Sequence, residues 1–221
     1  MSDTPILYIG EKNISSWSMR PWVALKHKGV PFEENGLPIK GDVDRSARRK
    51  LSPTGRVPVL HHRGLVIPDS LAIIEYLEEI YPPAKHPALW PQDPARRAHA
   101  RWLSATMHSG FMKMREGMAF NTCFLPKRPT PPADAVADAT EMLRLLEAAL
   151  QAKPAGDGPY LFGGFSAADA MYAPAVIRVL AYEVPTRETP LAAAWMRTLL
   201  EAPAVRPWVE AARALPPAET Y

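Results

Sequence analysis

Read for its alternation of apolar and polar positions, the chain divides into a short mixed segment and a longer helical one. Pro5 to Ile9 is a β-rich apolar run. From about Ser16 to Lys28, residues Met19, Trp22, Val23 and Leu25 recur at near-helical spacing, predicting a helix that Gly29 ends. Val30 to Leu37 returns as a second strand, and Asp42 to Leu51 reads as a short, basic surface helix. Val57 to Leu60 and Leu65 to Ile67 are strands joined by a turn over His61-His62-Arg63-Gly64, which leaves both histidines facing solvent. A helix from Ser70 to Ile80 follows. Tyr81-Pro82-Pro83 stops it, and Pro87, Pro91 and Pro94 mark a linker. Beyond the linker every element is helical: Ala95 to about Phe120, Ala133 to Ala152, Ala167 to Tyr182, and two shorter helices near Ala192 to Leu200 and Ala204 to Ala214. The expected organisation is an α/β domain over 1–82, a linker over 83–94 and an all-helical domain over 95–221.

Composition narrows the class without naming it. With 221 residues and 47% hydrophobic content the chain can bury a substantial core. Its net charge of +3 comes from basic residues dispersed among 23 acidic ones, so the concentrated patch of a nucleic-acid binder is missing. The single cysteine, Cys123, rules out an internal disulfide, a CxxC pair and a cysteine zinc site, and it reads as inert. His61 and His62 are adjacent with no third ligand nearby, so no metal is expected. No basic segment followed by an apolar stretch opens the chain, and no uninterrupted apolar run reaches membrane length. A soluble, cytoplasmic protein without a membrane partner is the expectation.

Candidate chemistry gathers around Arg56-Val57-Pro58-Val59-Leu60 and Pro68-Asp69-Ser70. Pro58 cannot serve a strand ladder at the mouth of an apolar strand, so it belongs to an edge or a turn, possibly cis. That leaves the Val57 backbone free to pair with a ligand. Asp69 and Ser70 stand where a helix begins: free N–H groups and the Ser70 hydroxyl favour a carboxylate, and Asp69 suits an ammonium group. A small peptide ending in an α-amino acid fits this arrangement, beside the simpler reading of a strand, a turn and a helix cap.

These segments, with Ser15-Ser16-Trp17-Ser18-Met19-Arg20, resemble the cytosolic glutathione transferases of the serine type, nearest to the zeta class. Gly163-Gly164-Phe165-Ser166-Ala167-Ala168-Asp169 carries a Ser-x-x-Asp capping box like the one that opens the buried helix of that family's second domain. The resemblance runs from about Ile6 to Trp208. It implies a thioredoxin-like domain followed by a helical bundle, glutathione as cosubstrate, a small electrophile as second substrate, and a homodimer. Glutathione binding then falls on Val57, Pro58, Asp69 and Ser70, with Lys40 and Arg56 near the glycyl carboxylate. Asp69 stands where most relatives carry Glu or Gln, and Trp17 where the zeta class carries cysteine, which argues against mixed-disulfide chemistry.

The resemblance maps the thiolate-stabilising serine to Ser15, with Ser16 beside it. Lowering a thiol pKa from roughly 8.5 by two units takes about 2.7 kcal/mol of preference for the anion. A hydroxyl hydrogen bond to charged sulfur, worth roughly 1.5 to 3 kcal/mol, and a helix N-terminus, about 0.3 to 1, suffice together. Ser15 as a plain N-cap remains compatible with this role, and Tyr8 is a rival hydroxyl near the end of the first strand. Arg20 reads as a solvated or salt-bridged arginine. The second-substrate pocket is assigned to Tyr8, Met107, His108, Phe111, Met112 and Arg115. Zeta-class isomerases act on maleylacetoacetate through an arginine late in the Ser-x-x-Asp helix. That offset lands on Ala181, with Arg178 three residues earlier. Conjugation of glutathione to an electrophile is therefore ranked first, glutathione-dependent cis–trans isomerisation second, and a noncatalytic binding module third.

Overall fold

The structure, a computed structural model, describes residues 3–37 and 45–217. Lys40 lies outside the described residues. The first half is built as β1 (Ile6–Ile9), α1 (Ser16–Lys28), β2 (Glu33–Gly36), α2 (Arg45–Leu51), β3 (Val59–His62), β4 (Leu65–Pro68) and α3 (Ser70–Ile80). The sheet order is β2-β1-β3-β4, with β1 parallel to β2 and antiparallel to β3. Leu7, Ile9 and Leu60 pack with Met19 and Val23 of α1 and with Ile73, Ile74 and Leu77 of α3.

Two local expectations are corrected here. The β3–β4 hairpin turns on Arg63 and Gly64 alone, at φ 50° and 80°, the backbone that a tight two-residue turn requires. His61 and His62 therefore belong to β3. His62 is buried, with Nδ1 at 2.9 Å from the Tyr76 hydroxyl and Nε2 at 3.0 Å from the Asp3 carbonyl. His61 Nε2 lies 2.6 Å from the Leu51 carbonyl. Secondly, β3 is an interior strand. Pro58, after a cis Val57–Pro58 bond, stands just before its first paired residue, Val59. The backbone at Val57 is thus open at the end of a strand and not along the margin of the sheet.

The second half consists of α4 (Pro94–Ser109), α5 (Met112–Gly117), a 3-10 turn over Asn121–Phe124, α6 (Ala133–Gln151), α7 (Ala167–Ala181), α8 (Pro190–Glu201) and α9 (Arg206–Ala214). The single long helix expected from Ala95 to Phe120 is two helices. Phe111 takes a left-handed conformation at φ 57°, and a Cβ at Gly110 would stand 2.8 Å from the Thr106 carbonyl oxygen. Residues after 110 consequently leave the face that α4 presents. Among the described residues no helix is long and apolar enough to cross a membrane.

Buried ionic groups anchor the connecting segment to the first half and fix the start of α7 in the second. Lys28 at the end of α1 reaches Glu78 Oε2 at 2.5 Å and the Tyr81 carbonyl at 2.6 Å, and the Glu78 carboxylate also accepts from the Leu89 and Trp90 amides of the connecting segment. Asp169 opens α7 as the capping box predicts. Its carboxylate accepts from Ser166 N, Ser166 Oγ, Leu161 N and Trp195 Nε1 at 2.7 to 3.2 Å. Burial pushes its pKa up against these bonds.

Asp169→Ala would orphan all four donors in a dry interior, and it should cost on the order of 3 to 5 kcal/mol of stability. Urea unfolding would read this as a lowered midpoint at unchanged slope.

Candidate functional site

Helix α1 is buried along most of its length, with Lys26 exposed in its last turn, and its first turn faces a cleft. That turn meets the Val57–Pro58 segment and the start of α3 in one cleft with two lobes. One lobe, of about 510 Å³, is lined by Ile14, Ser15, Ser16, Trp17, Arg48, Arg49, Thr54, Gly55, Arg56 and Val57. The other, of about 570 Å³, is lined by Trp17, Thr54, Arg56, Val57, Pro58, Pro68, Asp69, Ser70 and His108. Such volumes suit a small-molecule ligand. Trp17 stands in both.

The hydroxyls at the first turn are connected. Ser15 is the N-cap of α1, its Oγ accepting from Ser18 N at 3.3 Å and sharing a 2.7 Å bond with Ser18 Oγ. Ser18 Oγ accepts in turn from Gly10 N at 3.2 Å. With Ser18 donating to Ser15, the Ser15 O–H is free to point into the lobe at the end of a polarised chain. Ser16 Oγ accepts from Arg178 Nη2 of α7 at 3.3 Å, so its own proton is also free. Capping and an outward hydroxyl are both satisfied at Ser15.

The opposite lobe is set by α3. Asp69 caps it, accepting from Leu71 N at 2.8 Å and Ala72 N at 3.1 Å, with its backbone at φ 84°. A non-glycine residue there stores roughly 1 to 3 kcal/mol of strain, which is the mark of a functional position. His108 Nε2 lies 3.1 Å from Asp69 Oδ2. Burial lowers the His108 pKa despite Asp69, and Arg20 and Arg115 add to the effect. The neutral imidazole then donates to Asp69 through Nε2 and keeps Nδ1 as a buried acceptor with no partner. The Ser70 hydroxyl is likewise buried and unpartnered.

Three arginines converge behind Trp17. Arg20 Cζ lies 4.2 Å and Arg115 Cζ 5.0 Å from the indole centroid. Arg115 donates to the Gly110 carbonyl at 2.9 Å and to the Met107 carbonyl. Arg178 is buried, donating to Met118 O at 2.9 Å and Pro174 O at 3.3 Å besides Ser16. Among the described residues no carboxylate forms an ion pair with any of them. Burial, then the repulsion of neighbouring arginines, lowers the pKa of Arg20 well below its ordinary value and that of Arg115 to about 10.

The sequence-based site list divides accordingly. Ser15, Ser16, Val57, Pro58, Arg56, Asp69 and Ser70 all line the cleft. Of the second-substrate candidates, His108 lines it and Arg115 backs it through Trp17. Met107 and Phe111 are core, Met112 points outward at 54% exposure, and the break at Gly110 explains the scatter. Tyr8 lies on the sheet face away from Leu7 and Ile9, its ring 4.8 Å from that of His61, and does not line the cleft. Arg20 is neither solvated nor salt-bridged. Residues the sequence reading passed over are Arg48, Arg49, Thr54 and the Arg178 contact to Ser16. For Arg178 a signal existed: a lone charge within an otherwise apolar run from Ala170 to Ala181 apart from Tyr172 and Pro174. Among the described residues no cluster of three or more metal-ligating side chains exists.

Comparison with known proteins places this geometry. Family models described as "Glutathione S-transferase, N-terminal domain" and "Glutathione S-transferase, C-terminal domain" match residues 14–80 and 95–211. Similar proteins include the "Probable maleylacetoacetate isomerase" of Caenorhabditis elegans, 37% identical over 110 residues that make up 50% of this chain and 49% of that one. The "Maleylacetoacetate isomerase" of Rattus norvegicus is 37% identical over 114 residues, 50% of each chain. The chain thus spans about half the length of the curated relatives it matches. A bacterial zeta-class maleyl pyruvate isomerase in its holo form is similar in structure at TM-score 0.73 and 28% identity, covering 95% of this chain and 98% of that one. A glutathione transferase homolog from Burkholderia with bound glutathione gives TM-score 0.71 and 28% identity over 96% and 100%.

Cys123 lies outside the cleft lining, and burial pushes its thiol up to about 11. A thiol reagent at pH 8 should therefore leave the native protein unmodified over minutes and label one thiol per chain after denaturation. Rapid labelling of native protein would show that Cys123 is accessible.

Proposed function

Because the chain belongs to the glutathione S-transferase family, we propose that it binds glutathione along the cleft and uses the thiolate to isomerise a conjugated cis-dicarboxylate. The observation that carries this reading is the group of arginines without carboxylate partners at Ser16 and Trp17. A substrate with two carboxylates supplies the missing negative charge, and the similarity to maleylacetoacetate isomerases supports the same class. Isomerisation, ranked second from the sequence, thereby moves ahead of conjugation. The Arg178 contact removes the main objection, because a position three residues before the expected one still reaches the hydroxyl beside the sulfur.

In this reading the γ-glutamyl end of glutathione lies at Ser70 and Asp69, the cysteinyl backbone at Val57, and the sulfur at Ser15. The thiol proton leaves to solvent, and the thiolate is held by the Ser15 O–H and the α1 N-terminus. Sulfur adds to one alkene carbon, and the π electrons move to the conjugated carbonyl oxygen. Rotation follows about what is now a single bond. The enolate then reforms the double bond and expels the thiolate, so glutathione is not consumed. The arginines hold the carboxylates and stabilise the enolate charge. Transfer to an electrophile uses the same first step and stops at the adduct.

Ser15→Ala should lower kcat/KM by about ten- to a hundredfold, in line with the loss of one hydrogen bond to a charged group. It should also move the pH–rate profile toward higher pH, because the bound thiol becomes less acidic. Unchanged rates in both Ser15→Ala and Ser16→Ala, with glutathione still binding, would sink the assignment. Turnover of a maleyl-type diacid with constant free thiol separates isomerisation from conjugation, which consumes thiol. We also propose a homodimer, supported by the exposed apolar side chains of Leu65 and Val66 on outer strand β4 and Trp102 on α4. Sedimentation of the wild type should give twice the chain mass, with Trp102→Glu shifting it toward monomer.

A further inference from the structure

Arg20 is 1% exposed, and its Nε and Nη1 have no hydrogen-bond partner. Its guanidinium carbon lies 4.2 Å from the centroid of the Trp17 indole, which walls both lobes. An unpaired buried cation is among the costliest features a fold can carry, and the proximity of Arg115 and Arg178 raises that cost. Among the described residues the opposing charge acting on it is Asp69, which is engaged by His108 and by two amides of α3; the Tyr172 phenol nearby is neutral and donates to the Leu103 carbonyl. The unpartnered Ser70 hydroxyl follows Asp69 directly. Unmet donors thus lie on two elements at the cleft, Ser70 of α3 in its lining and Arg20 of α1 against Trp17, while the one carboxylate among the described lining residues, Asp69, is already engaged.

We propose that Arg20 is a carboxylate-binding residue of the cleft, reached past Trp17, and that its charge remains uncompensated until a ligand carboxylate arrives. The shared chemistry is a carboxylate, from either glutathione or the second substrate. The inference rests on the cleft being a small-molecule site and not on which molecule donates the anion. Trp17 has a positioning role in it: its indole holds both guanidinium groups by its π system, Arg20 at 4.2 Å and Arg115 at 5.0 Å from the ring centroid. A cysteine at this position would provide no such ring.

The sign of the stability change separates this role from support of the fold. Arg20→Met removes an unpaired buried charge at similar volume, so its Tm without ligand should equal or exceed that of the wild type. Calorimetry with glutathione and, separately, with maleate then reads the function. A tenfold or greater loss of affinity for glutathione alone assigns its γ-glutamyl carboxylate to Arg20, and the same loss for maleate alone assigns the substrate's. Loss of both sets the guanidinium between the two. Retention of both affinities within twofold overturns the proposal, as does failure of the wild type to bind either probe at millimolar concentration. Should the wild type bind maleate and not glutathione, the proposed glutathione chemistry fails, and the loss or retention of maleate affinity in Arg20→Met alone decides this inference. If Arg20→Met folds poorly, Arg20→Gln carries the same measurements.

Discussion

The cleft exists because helix α1 is packed along its length and its start meets the Val57–Pro58 segment and α3. Its flanks are buried against α3 on one hand and α7 on the other. Lys26 in its last turn faces solvent, while Ser15, Ser16 and Trp17 at its start line the cleft. A helix start is where backbone N–H groups lack internal partners, so the same constraint that exposes these residues makes their surroundings favourable to an anion. Ser15 uses one face of its hydroxyl to close the helix and keeps the other for the lobe. The second domain takes part directly, since Arg178 reaches across to Ser16. Neither half of the chain builds this site alone.

The two lobes differ in charge. Around Ser15 and Ser16 the lining contributes Arg48, Arg49 and Arg56, with Arg20, Arg115 and Arg178 behind. Around Ser70 stand Asp69 and His108. A molecule with an ammonium group at one end and carboxylates elsewhere is complementary to such a polarity, and glutathione is one. The cationic groups outnumber the carboxylates of that tripeptide, which is the ground on which a dicarboxylate second substrate is proposed. In a low-dielectric site fixed charges of this kind act strongly on any negative charge that develops beside them, and they need no reorganisation to do so.

Several parts of this architecture were legible in the order of residues, because their causes are local. Helix α1 ends at Gly29 in a left-handed cap, α3 starts at Asp69-Ser70, and α7 starts at its Ser-x-x-Asp box, each within reach of a few side chains. The cleft residues Val57, Pro58, Asp69 and Ser70 came from the same kind of signal, a cap or a proline beside an apolar run, whereas Ser15, Ser16 and Arg56 came from the family resemblance. Local signals failed where two explanations shared one pattern. A histidine pair before Arg63-Gly64 suits a longer turn or a strand end, and only pairing with β4 placed both in β3. A helical period from Ala95 onward continues past Gly110, although the chain turns there.

By itself, then, the sequence determined where elements begin and end and which side chains cap them, since these depend on neighbours a few residues away. What only the tertiary structure decided is which distant groups meet: Arg178 with Ser16, His108 with Asp69, His62 with Tyr76, and Arg20 buried against Trp17 with no ion-pair partner among the described residues. The reason is physical. The energy of a charge depends on its solvent and its partners, and both are set by elements that lie far apart along the chain and come together only when the two domains pack.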